Sequence, residues 1–317
     1  MRPGGVRAAV HPGAEERGER PRAEMAAPLR LWSRGVLRGC VVGALTKNQR
    51  LARDLSESLI GAGPYEIIHA ALSLAPVATY VGFSGGFDSL VCTHWCMNHV
   101  AGCRVFHANT GIGIEATREY VRKTCAEYQW PLIEIRAKED CGQDYDQLVL
   151  EQGFPGPAHH YKMFQRLKER PVRKLVRDSK TKRGDLVAIF TGIRQDESKR
   201  RSGYHYTVLD VVGSALWVNP FYYRSRAWFT DYITEHKLKR NPVSEILGMS
   251  GECLCGAFAH KGEKALIKTL CPATFARIEA LEYLTAAVSL DWGWEEGPKA
   301  KSVSREKFMP FCVGCEK

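Results

Sequence analysis

Apolar residues recur along this chain with two periods, one typical of helices and one typical of buried strands. Leu51, Leu55 and Leu59 form the apolar stripe of a predicted helix. Short continuous apolar runs such as VATYVGF predict buried strands, and helical patterns follow the first two of them. The predicted strands are 77–83, 103–109, 131–137 and 185–192, and the predicted helices include 48–59, 65–74, 89–99, 115–129 and 273–288.

Strands that alternate with helices of this length indicate βαβ units, so the sequence predicts an α/β protein with a parallel sheet. The 317 residues are enough for one large domain and an appendage. We expect an N-terminal extension over 1–45, the α/β domain over 46–245 and a small cysteine-rich region over 246–317. The first 24 residues are rich in Arg, Gly and Pro and are expected to be disordered.

The charge of the chain adds an expectation about its partners. The formal net charge of +10 favours an anionic partner, either a nucleotide or a nucleic acid. The basic segment, residues 161–184, carries ten Lys or Arg against two acidic residues, and is either a solvated helix face or a contact surface for nucleic acid. No apolar stretch approaches the roughly 20 residues that span a bilayer, so we expect a cytoplasmic protein without a membrane partner.

The stretch SGGFDS, here called the SGGFDS loop, stands between a predicted strand and a predicted helix. Backbone N–H groups at the start of a helix attract anions, and Gly85 and Gly86 let the backbone approach one closely. Ser84 and Ser89 add hydroxyl donors, so the loop is typical of a phosphate cradle, with a plain structural turn as the alternative. Since a carboxylate repels phosphate, Asp88 is expected to hold Mg²⁺ or to orient the N–H groups of the loop.

Two arginines follow the fourth predicted strand. Arg194 and Arg201 flank a turn, and guanidinium forks suit phosphate and sulfate oxygens. The alternative is that Asp196 and Glu197 simply pair with them at the surface.

Cysteines crowd the last quarter of the chain. Cys253 and Cys255 form a C-x-C pair, and Cys312 and Cys315 form a C-x-x-C pair. Four thiolates in two close pairs suit either tetrahedral Zn²⁺ or a [4Fe–4S] cluster. Without a signal peptide a disulfide framework is the weaker interpretation, and unligated structural cysteines remain an alternative. Cys271 is a fifth candidate, although its place before a Pro and a helix is more typical of packing.

These motifs, taken in order, resemble the phosphoadenosine phosphosulfate (PAPS) reductase branch of the adenine-nucleotide α-hydrolase, or PP-loop, superfamily. SGGFDS matches its SGGxDS pyrophosphate loop. HANTGIGIEATREYV (107–121) is similar to a strand that ends in D-T-G, with Asn109 in place of the Asp. FTGIRQDESKRR (190–201) resembles G-x-R-x-x-E/Q-S-x-x-R, and residues 219–243 resemble the stretch that ends in N-P-L. The resemblance covers roughly 77–256.

The resemblance implies a Rossmann-like parallel sheet with helices on both faces and an adenine nucleotide, PAPS or ATP, on the SGGFDS loop. It also favours the iron–sulfur cluster over zinc. The implied catalytic residues are Asp88, Arg194 and Arg201, to which the cysteine pattern adds Cys315. The implied nucleotide-binding residues are Ser84, Gly85, Gly86, Asp88, Ser89, Thr110, Gly111, Gly192 and Arg194. The metal ligands expected from the cysteine pattern are Cys253, Cys255, Cys312 and Cys315.

Two departures from the family pattern bear on the reaction. The E-C-G-L-H tail of thioredoxin-dependent PAPS reductases is missing, and His159 and His160 stand where adenylylsulfate reductases have a cysteine pair. A nucleophilic thiol would therefore have to be Cys315 or Cys312, if these are not metal ligands.

Three functions follow as hypotheses. The first is reduction of a sulfonucleotide, with an electron donor protein as partner. The second is ATP-dependent sulfur transfer of the kind used in DNA phosphorothioation, with Mg²⁺ at Asp88, a sulfur donor protein and nucleic acid on the basic segment. The third is a non-catalytic nucleotide-binding module with structural zinc.

Overall fold

The computed structural model describes residues 45–196, 207–288, 290 and 293–295. Almost all of the predicted N-terminal extension lies outside these residues, as do three predicted site residues: Arg201, Cys312 and Cys315. Of the helices in the described residues, none is both long and apolar enough to cross a membrane.

Six strands in the described residues form one sheet, in the order β3-β2-β1-β4-β6-β5. All neighbouring strands are parallel except β5 and β6, which are antiparallel. The four strands predicted from the sequence are β1 to β4, so the expected parallel sheet is confirmed. The strands are β1 Ala78–Gly82, β2 Arg104–Asn109, β3 Leu132–Arg136, β4 Val187–Phe190, β5 Leu209–Val212 and β6 Ala215–Val218.

Helices precede the sheet, alternate with its first strands and follow it. The predicted helices are all present, within one to two residues of their expected ends. The α-helices are α1 Lys47–Ser58, α2 Pro64–Ser73, α3 Phe87–His99, α4 Glu115–Glu127, α5 Ala137–Cys141, α6 Tyr145–Gln152, α7 His160–Phe164, α8 Arg170–Asp178, α9 Arg226–Glu235, α10 Pro242–Leu247, α11 Glu263–Leu270 and α12 Pro272–Ala287. A π-helical turn, Gln165–Glu169, joins α7 to α8.

Apolar side chains cover both faces of the sheet, as a parallel sheet with helices on each side requires. Successive strand residues point to opposite faces, so Val81 packs into a core with α1, α2, α3 and α9. Tyr80 faces the other way and packs with Val172 and Leu175 of α8. The expected helices on both faces are therefore confirmed.

The β5–β6 hairpin was not predicted. Its strands have only four residues each, and a two-residue turn with Gly213 at φ +64 joins them. Asp210 and Val212 face outward on β5, while every residue of β6 is buried. Runs this short carry too little periodicity to stand out from a loop.

The cysteine-bearing segment after α10 packs into a second core with α6 and α12. Leu254, Ile278 and Trp294 are buried there, and the indole N–H of Trp294 donates to the Leu254 carbonyl at 2.7 Å. The Asp146 carboxylate on α6 accepts a hydrogen bond from Arg277 on α12 at 2.9 Å. These contacts hold the C-x-C pair beside the carboxyl edge of the sheet.

Candidate functional site

The SGGFDS loop leaves the end of β1 and turns directly into α3. Gly85 has φ +80, a conformation that favours glycine, and a Cβ there would lie 2.8 Å from the Thr117 side chain. The Ser84 and Ser89 hydroxyls are 3.1 Å apart, and Ser89 also donates to the Gly86 carbonyl at 3.0 Å. The loop thus wraps the N-terminus of α3, where unpaired N–H groups favour an anion.

Asp88 faces Arg194, not open solvent. The Arg194 Nε donates to Asp88 Oδ1 at 3.0 Å, and Nη2 donates to Oδ2 at 3.4 Å. Both side chains are nearly inaccessible, at 7 % and 2 % exposure. The guanidinium also donates to the Asp196 carboxylate and lies 5.2 Å from the ring centroid of Phe229. Arg194 neutralises the Asp88 carboxylate, which lowers its repulsion of a phosphate on the loop.

Gly192, at the end of β4, lets the fourth strand approach the loop. A Cβ at this position would lie 2.6 Å from the Asp88 carbonyl oxygen and 3.1 Å from the Ser89 nitrogen. Both neighbours are backbone atoms, so they cannot rotate away. Glycine at 192 is therefore required for the contact between Asp88 and Arg194, which follows two residues later.

A cavity of about 890 Å³ opens beside the loop, within the range of small-molecule sites. Its wall at the carboxyl edge of the sheet includes Phe83, Ser84, Ser89 and Gly192. The opposite wall is the basic segment, and apolar side chains of the sheet such as Trp217 form the floor. The cavity brings together the loop, the end of β4 and the basic segment, which the sequence leaves far apart.

The basic segment divides into a face toward the cavity and a face toward solvent. Lys168, Arg173, Arg177 and Lys180 line the cavity. Lys180 donates to the Ser214 hydroxyl at 3.0 Å, and Arg173 pairs with a neighbouring glutamate. On the outer side, Lys174 pairs with Asp178 at 2.8 Å. Part of the segment is thus a solvated face, and its role as a contact surface for an anion stays a prediction.

Glu252 is the buried acidic centre of the site. It is 2 % exposed, and its carboxylate accepts hydrogen bonds from the Thr110 N–H at 2.8 Å and from Arg118 Nε at 3.2 Å. His107 Nε2 lies 3.2 Å from the same carboxylate, and its Nδ1 lies 2.7 Å from the Phe83 carbonyl oxygen. This network joins the ends of β1 and β2 to the segment that carries the C-x-C pair.

The network also sets the charge of its two titratable partners. Burial by itself lowers the pKa of His107, but the Glu252 carboxylate outweighs burial, so this pKa lies above its ordinary value. Burial by itself raises the pKa of Glu252, but His107 and Arg118 outweigh it, and this pKa lies below its ordinary value. The pair is therefore held in its charged form.

Sequence reasoning missed Glu252, because its partners lie 134 to 145 residues away along the chain. Thr110 and Gly111, predicted to bind nucleotide, do belong to this region. Thr110 is fully buried on Glu252, and the Gly111 carbonyl accepts a hydrogen bond from Arg277. Asn109 accepts from the Gly111 N–H at 3.0 Å and donates to Glu134 at 2.7 Å. Asn109 thus shapes this turn.

Cys253 and Cys255 line a second cavity of about 370 Å³. His260 and Glu263 line it as well. Cys271 packs into the same apolar cluster as the C-x-C pair. Within the residues that the structure describes, no group of three or more His, Cys, Asp and Glu side chains is arranged to hold a metal ion. The described chain supplies two thiols beside a space, and the predicted four-cysteine site stays a prediction.

The two histidines that replace the family's cysteine pair do not act together. His159 is exposed, whereas His160 is buried with its ring centroid 4.8 Å from that of Phe258. His160 therefore packs against the cysteine-bearing region as an aromatic side chain.

The sequence profile of the phosphoadenosine phosphosulfate reductase domain matches residues 78–245. Similar solved structures include a phosphoadenylyl-sulfate (PAPS) reductase from Candida auris in a phosphate complex, at 20 % identity and TM-score 0.49, covering 65 % of this chain and 95 % of that one. Another is an NH₃-dependent NAD synthetase from Campylobacter jejuni in complex with the nitrate ion, at 14 % identity and TM-score 0.39, covering 80 % and 96 %. No curated protein matches the chain.

The profile spans more than half of the 317 residues and contains the SGGFDS loop, Gly192 and Arg194. The chain belongs to the phosphoadenosine phosphosulfate reductase family.

Proposed function

We propose that the protein is an enzyme that binds PAPS on the SGGFDS loop and reduces its sulfonate group. The observation that carries this proposal is the 890 Å³ cavity in which the loop, the end of β4 and the basic segment meet. PAPS carries a phosphosulfate group at one end and a second phosphate group elsewhere, so it needs donors at both. The loop supplies one set of donors, and the basic segment supplies the other.

The chain's own residues bind and orient the nucleotide. The phosphosulfate group lies at the N-terminus of α3, where the N–H groups and the hydroxyls of Ser84 and Ser89 donate to it. Arg194 neutralises Asp88, so the carboxylate orients the arginine without repelling the phosphate. Lys180 and Arg177, at the other end of the cavity, attract the second phosphate group.

Reduction requires a thiolate that attacks the sulfonate sulfur. A sulfur–sulfur bond forms, the sulfur–oxygen bond to the phosphate breaks, and adenosine 3′,5′-bisphosphate leaves with the electron pair. A second thiolate then attacks the cysteine sulfur of the S-sulfonate, which releases sulfite and forms a disulfide. A dithiol donor protein reduces this disulfide. Cys315 and Cys312, predicted as the nucleophile, lie outside the described residues.

Two roles compete for these cysteines. In the first, Cys312 and Cys315 join Cys253 and Cys255 as ligands of a [4Fe–4S] cluster or Zn²⁺. A metal or cluster held there would fix the four thiolates in one place. In the second role the C-terminal thiols attack the substrate and no metal is held. Metal content distinguishes the two.

ATP-dependent sulfur transfer is the second candidate function. The cationic side chains that favour it are those at the rim of the cavity, where Arg177 is 71 % exposed and accessible to a polymer such as nucleic acid. In this function the loop holds the departing pyrophosphate, and a Mg²⁺ ion at Asp88 would neutralise it.

The deciding experiment is anaerobic purification with metal analysis, followed by calorimetric titration with PAPS and with ATP. Preferential binding of PAPS and thiol-dependent release of sulfite support reduction. Preferential binding of ATP with release of pyrophosphate supports sulfur transfer instead. Nucleotide binding with zinc but without turnover of either nucleotide would leave the non-catalytic module. Failure of both nucleotides to bind would refute all three functions.

A further inference from the structure

A short segment borders both of the cavities described above. Glu252 lines the 890 Å³ cavity at the SGGFDS loop. The next three residues, Cys253, Leu254 and Cys255, line the 370 Å³ cavity behind it. Residues 250–255, here called the wall segment, therefore border both spaces, and a displacement of this segment changes both at once.

The SGGFDS loop lies close to the wall segment. The space beside Gly86 is so limited that an added Cβ would lie 3.4 Å from the Ser250 side chain. The Asn241 amide donates to the Gly85 carbonyl and to the Thr117 hydroxyl, each at 3.1 Å. The Thr117 hydroxyl donates in turn to the Ser250 carbonyl at 2.8 Å. The backbone of the loop and the start of the wall segment thus share one chain of hydrogen bonds.

A second chain of hydrogen bonds reaches the wall segment from the other side. The Phe83 carbonyl, immediately before the loop, lies 2.7 Å from one ring nitrogen of His107. The other ring nitrogen lies 3.2 Å from the Glu252 carboxylate. His107 is 1 % exposed, so the packing around it leaves little room to relax if either end moves.

Glu252 is built as an anchor and not as a ligand contact. Each of its carboxylate oxygens already accepts hydrogen bonds, from Thr110 and Arg118 on one and from His107 and Arg118 on the other. Its backbone is fixed as well, since a Cβ at Gly113 would lie 2.5 Å from the Glu252 carbonyl oxygen. A carboxylate with all its acceptor sites filled fixes the position of the chain that carries it.

We propose that Glu252 is a positioning residue that transmits nucleotide binding at the SGGFDS loop to Cys253 and Cys255. The inference rests on the proposed function, because it requires a nucleotide on the loop. Phosphate oxygens order the loop, both chains of hydrogen bonds then hold the wall segment in one place, and the two thiols take a fixed position relative to the nucleotide. Without nucleotide the wall segment opens more often.

Amide hydrogen exchange, followed by mass spectrometry on the full chain, tests this proposal with adenosine 3′,5′-bisphosphate as the probe. In the wild-type protein the nucleotide should slow exchange about fivefold or more in peptide 249–258 and also in peptide 84–92. Gly113→Ala displaces the Glu252 backbone without removing a charge. It should abolish the slowing at 249–258 and retain it at 84–92.

Two further variants complete the test. Glu252→Gln should behave as Gly113→Ala does, although the loss of a buried charge near Arg118 makes it the riskier protein to fold. Glu115→Gln is the matched control. The Glu115 side chain is 55 % exposed and is the other carboxylate partner of Arg118, so this variant removes a partner of Arg118 and leaves Glu252 in place. It should retain the slowing at both peptides.

The outcomes separate this inference from the proposed function. Slowing at 84–92 alone in the wild-type protein would show that nucleotide binds and that the wall segment does not respond, which overturns the inference. Full slowing at 249–258 in both Gly113→Ala and Glu252→Gln would show that Glu252 is not the anchor. No slowing at either peptide would show that adenosine 3′,5′-bisphosphate does not bind, which refutes the proposed reduction of PAPS and the inference with it.

Discussion

Arg194 and Asp88 form a buried ion pair across 106 residues of sequence, with Nε to Oδ1 at 3.0 Å. The pair joins the end of β4 to the first turn of α3 and places a cation behind the SGGFDS loop. Both residues are less than 10 % exposed, so the charge of each acts strongly on the other and the two should be considered as a pair. This relationship makes the loop and the arginine turn one site.

Removal of the arginine should therefore damage both stability and binding. Arg194→Gln removes the guanidinium that pairs with the buried Asp88 carboxylate, which costs about 3 kcal/mol or more. The affinity for PAPS should fall at least about tenfold, because the unneutralised Asp88 then repels phosphate. Chemical denaturation and calorimetric titration measure the two effects.

The control for this variant is Arg53→Gln, which breaks an ion pair whose side chains are both about two-thirds exposed. It should change stability by less than about 0.5 kcal/mol and leave nucleotide binding unchanged. Wild-type affinity in Arg194→Gln would contradict the role assigned to the buried pair.

Gly192→Ala should weaken nucleotide binding because the added methyl group collides with the SGGFDS loop, without any change in charge. The added methyl group meets the Asp88 carbonyl oxygen at 2.6 Å and pushes the loop from the end of β4. We expect a loss of about 1–3 kcal/mol in stability and a clear loss of affinity. Gly102→Ala is the comparison, since Gly102 has φ +69 and open space around it. That variant should be strained in its backbone yet bind nucleotide normally.

Substitutions of the cationic side chains in the basic segment should show whether the protein binds a nucleotide or a polymeric ligand there. Lys180→Gln removes a cation that lines the cavity, and should lower the affinity for PAPS several-fold. Lys174 lies on the outer side of the segment, where it pairs with Asp178, so Lys174→Gln should not lower the affinity for PAPS. If nucleic acid binds the basic segment, both variants should weaken that binding and reduce its dependence on salt concentration. Filter binding at several salt concentrations separates these cases.

Stability should fall as the pH drops below 6.5, because His94 is buried in its neutral form. Burial, and then His236 and His99, lower the pKa of His94 to about 4. In the unfolded chain this histidine binds a proton near pH 6.5. The stabilisation that neutral His94 gives the folded state is therefore complete above pH 6.5 and is lost as the pH falls from 6.5 to about 4. The free energy of unfolding should decrease by about 2 kcal/mol between pH 7 and pH 5 from this group.

The measurement compares the wild-type protein with His94→Gln at both pH values. Glutamine can still reach the Tyr232 hydroxyl, which lies 2.8 Å from the His94 ring. The variant should lose this part of the pH dependence, whereas His99→Gln, at an exposed position, should keep it. Equal slopes for wild type and His94→Gln would show that His94 titrates normally.

The metal prediction rests on the C-x-C pair and has a matched control within the chain. Cys253→Ser and Cys255→Ser should each lower the metal content of anaerobically purified protein to less than about half. Cys141→Ser, at a partly exposed cysteine far from the second cavity, should leave it unchanged. Full metal content in both of the first two variants would remove these cysteines from the ligand set.

Local patterns determined much of the fold. β1 to β4 were visible because each lies within a longer predicted run, even where the strand itself has only four residues, as in β4. The helices around them are long enough for their apolar stripe to repeat. The SGGFDS loop was visible as well, because its glycines, hydroxyls and helix start lie within six residues. β5 and β6 were not predicted, because a strand of four residues beside a turn shows no clear period.

Tertiary structure alone decided how the site is assembled. Nothing local in GECLCG marks Glu252 as the partner of His107 and Arg118, and nothing near Asp88 points to Arg194. These contacts exist because parallel strands bring their carboxyl ends to one edge of the sheet, whatever their separation along the chain. The sequence by itself determined which elements form and which loop favours an anion; the packing of those elements decided which charges meet at that loop.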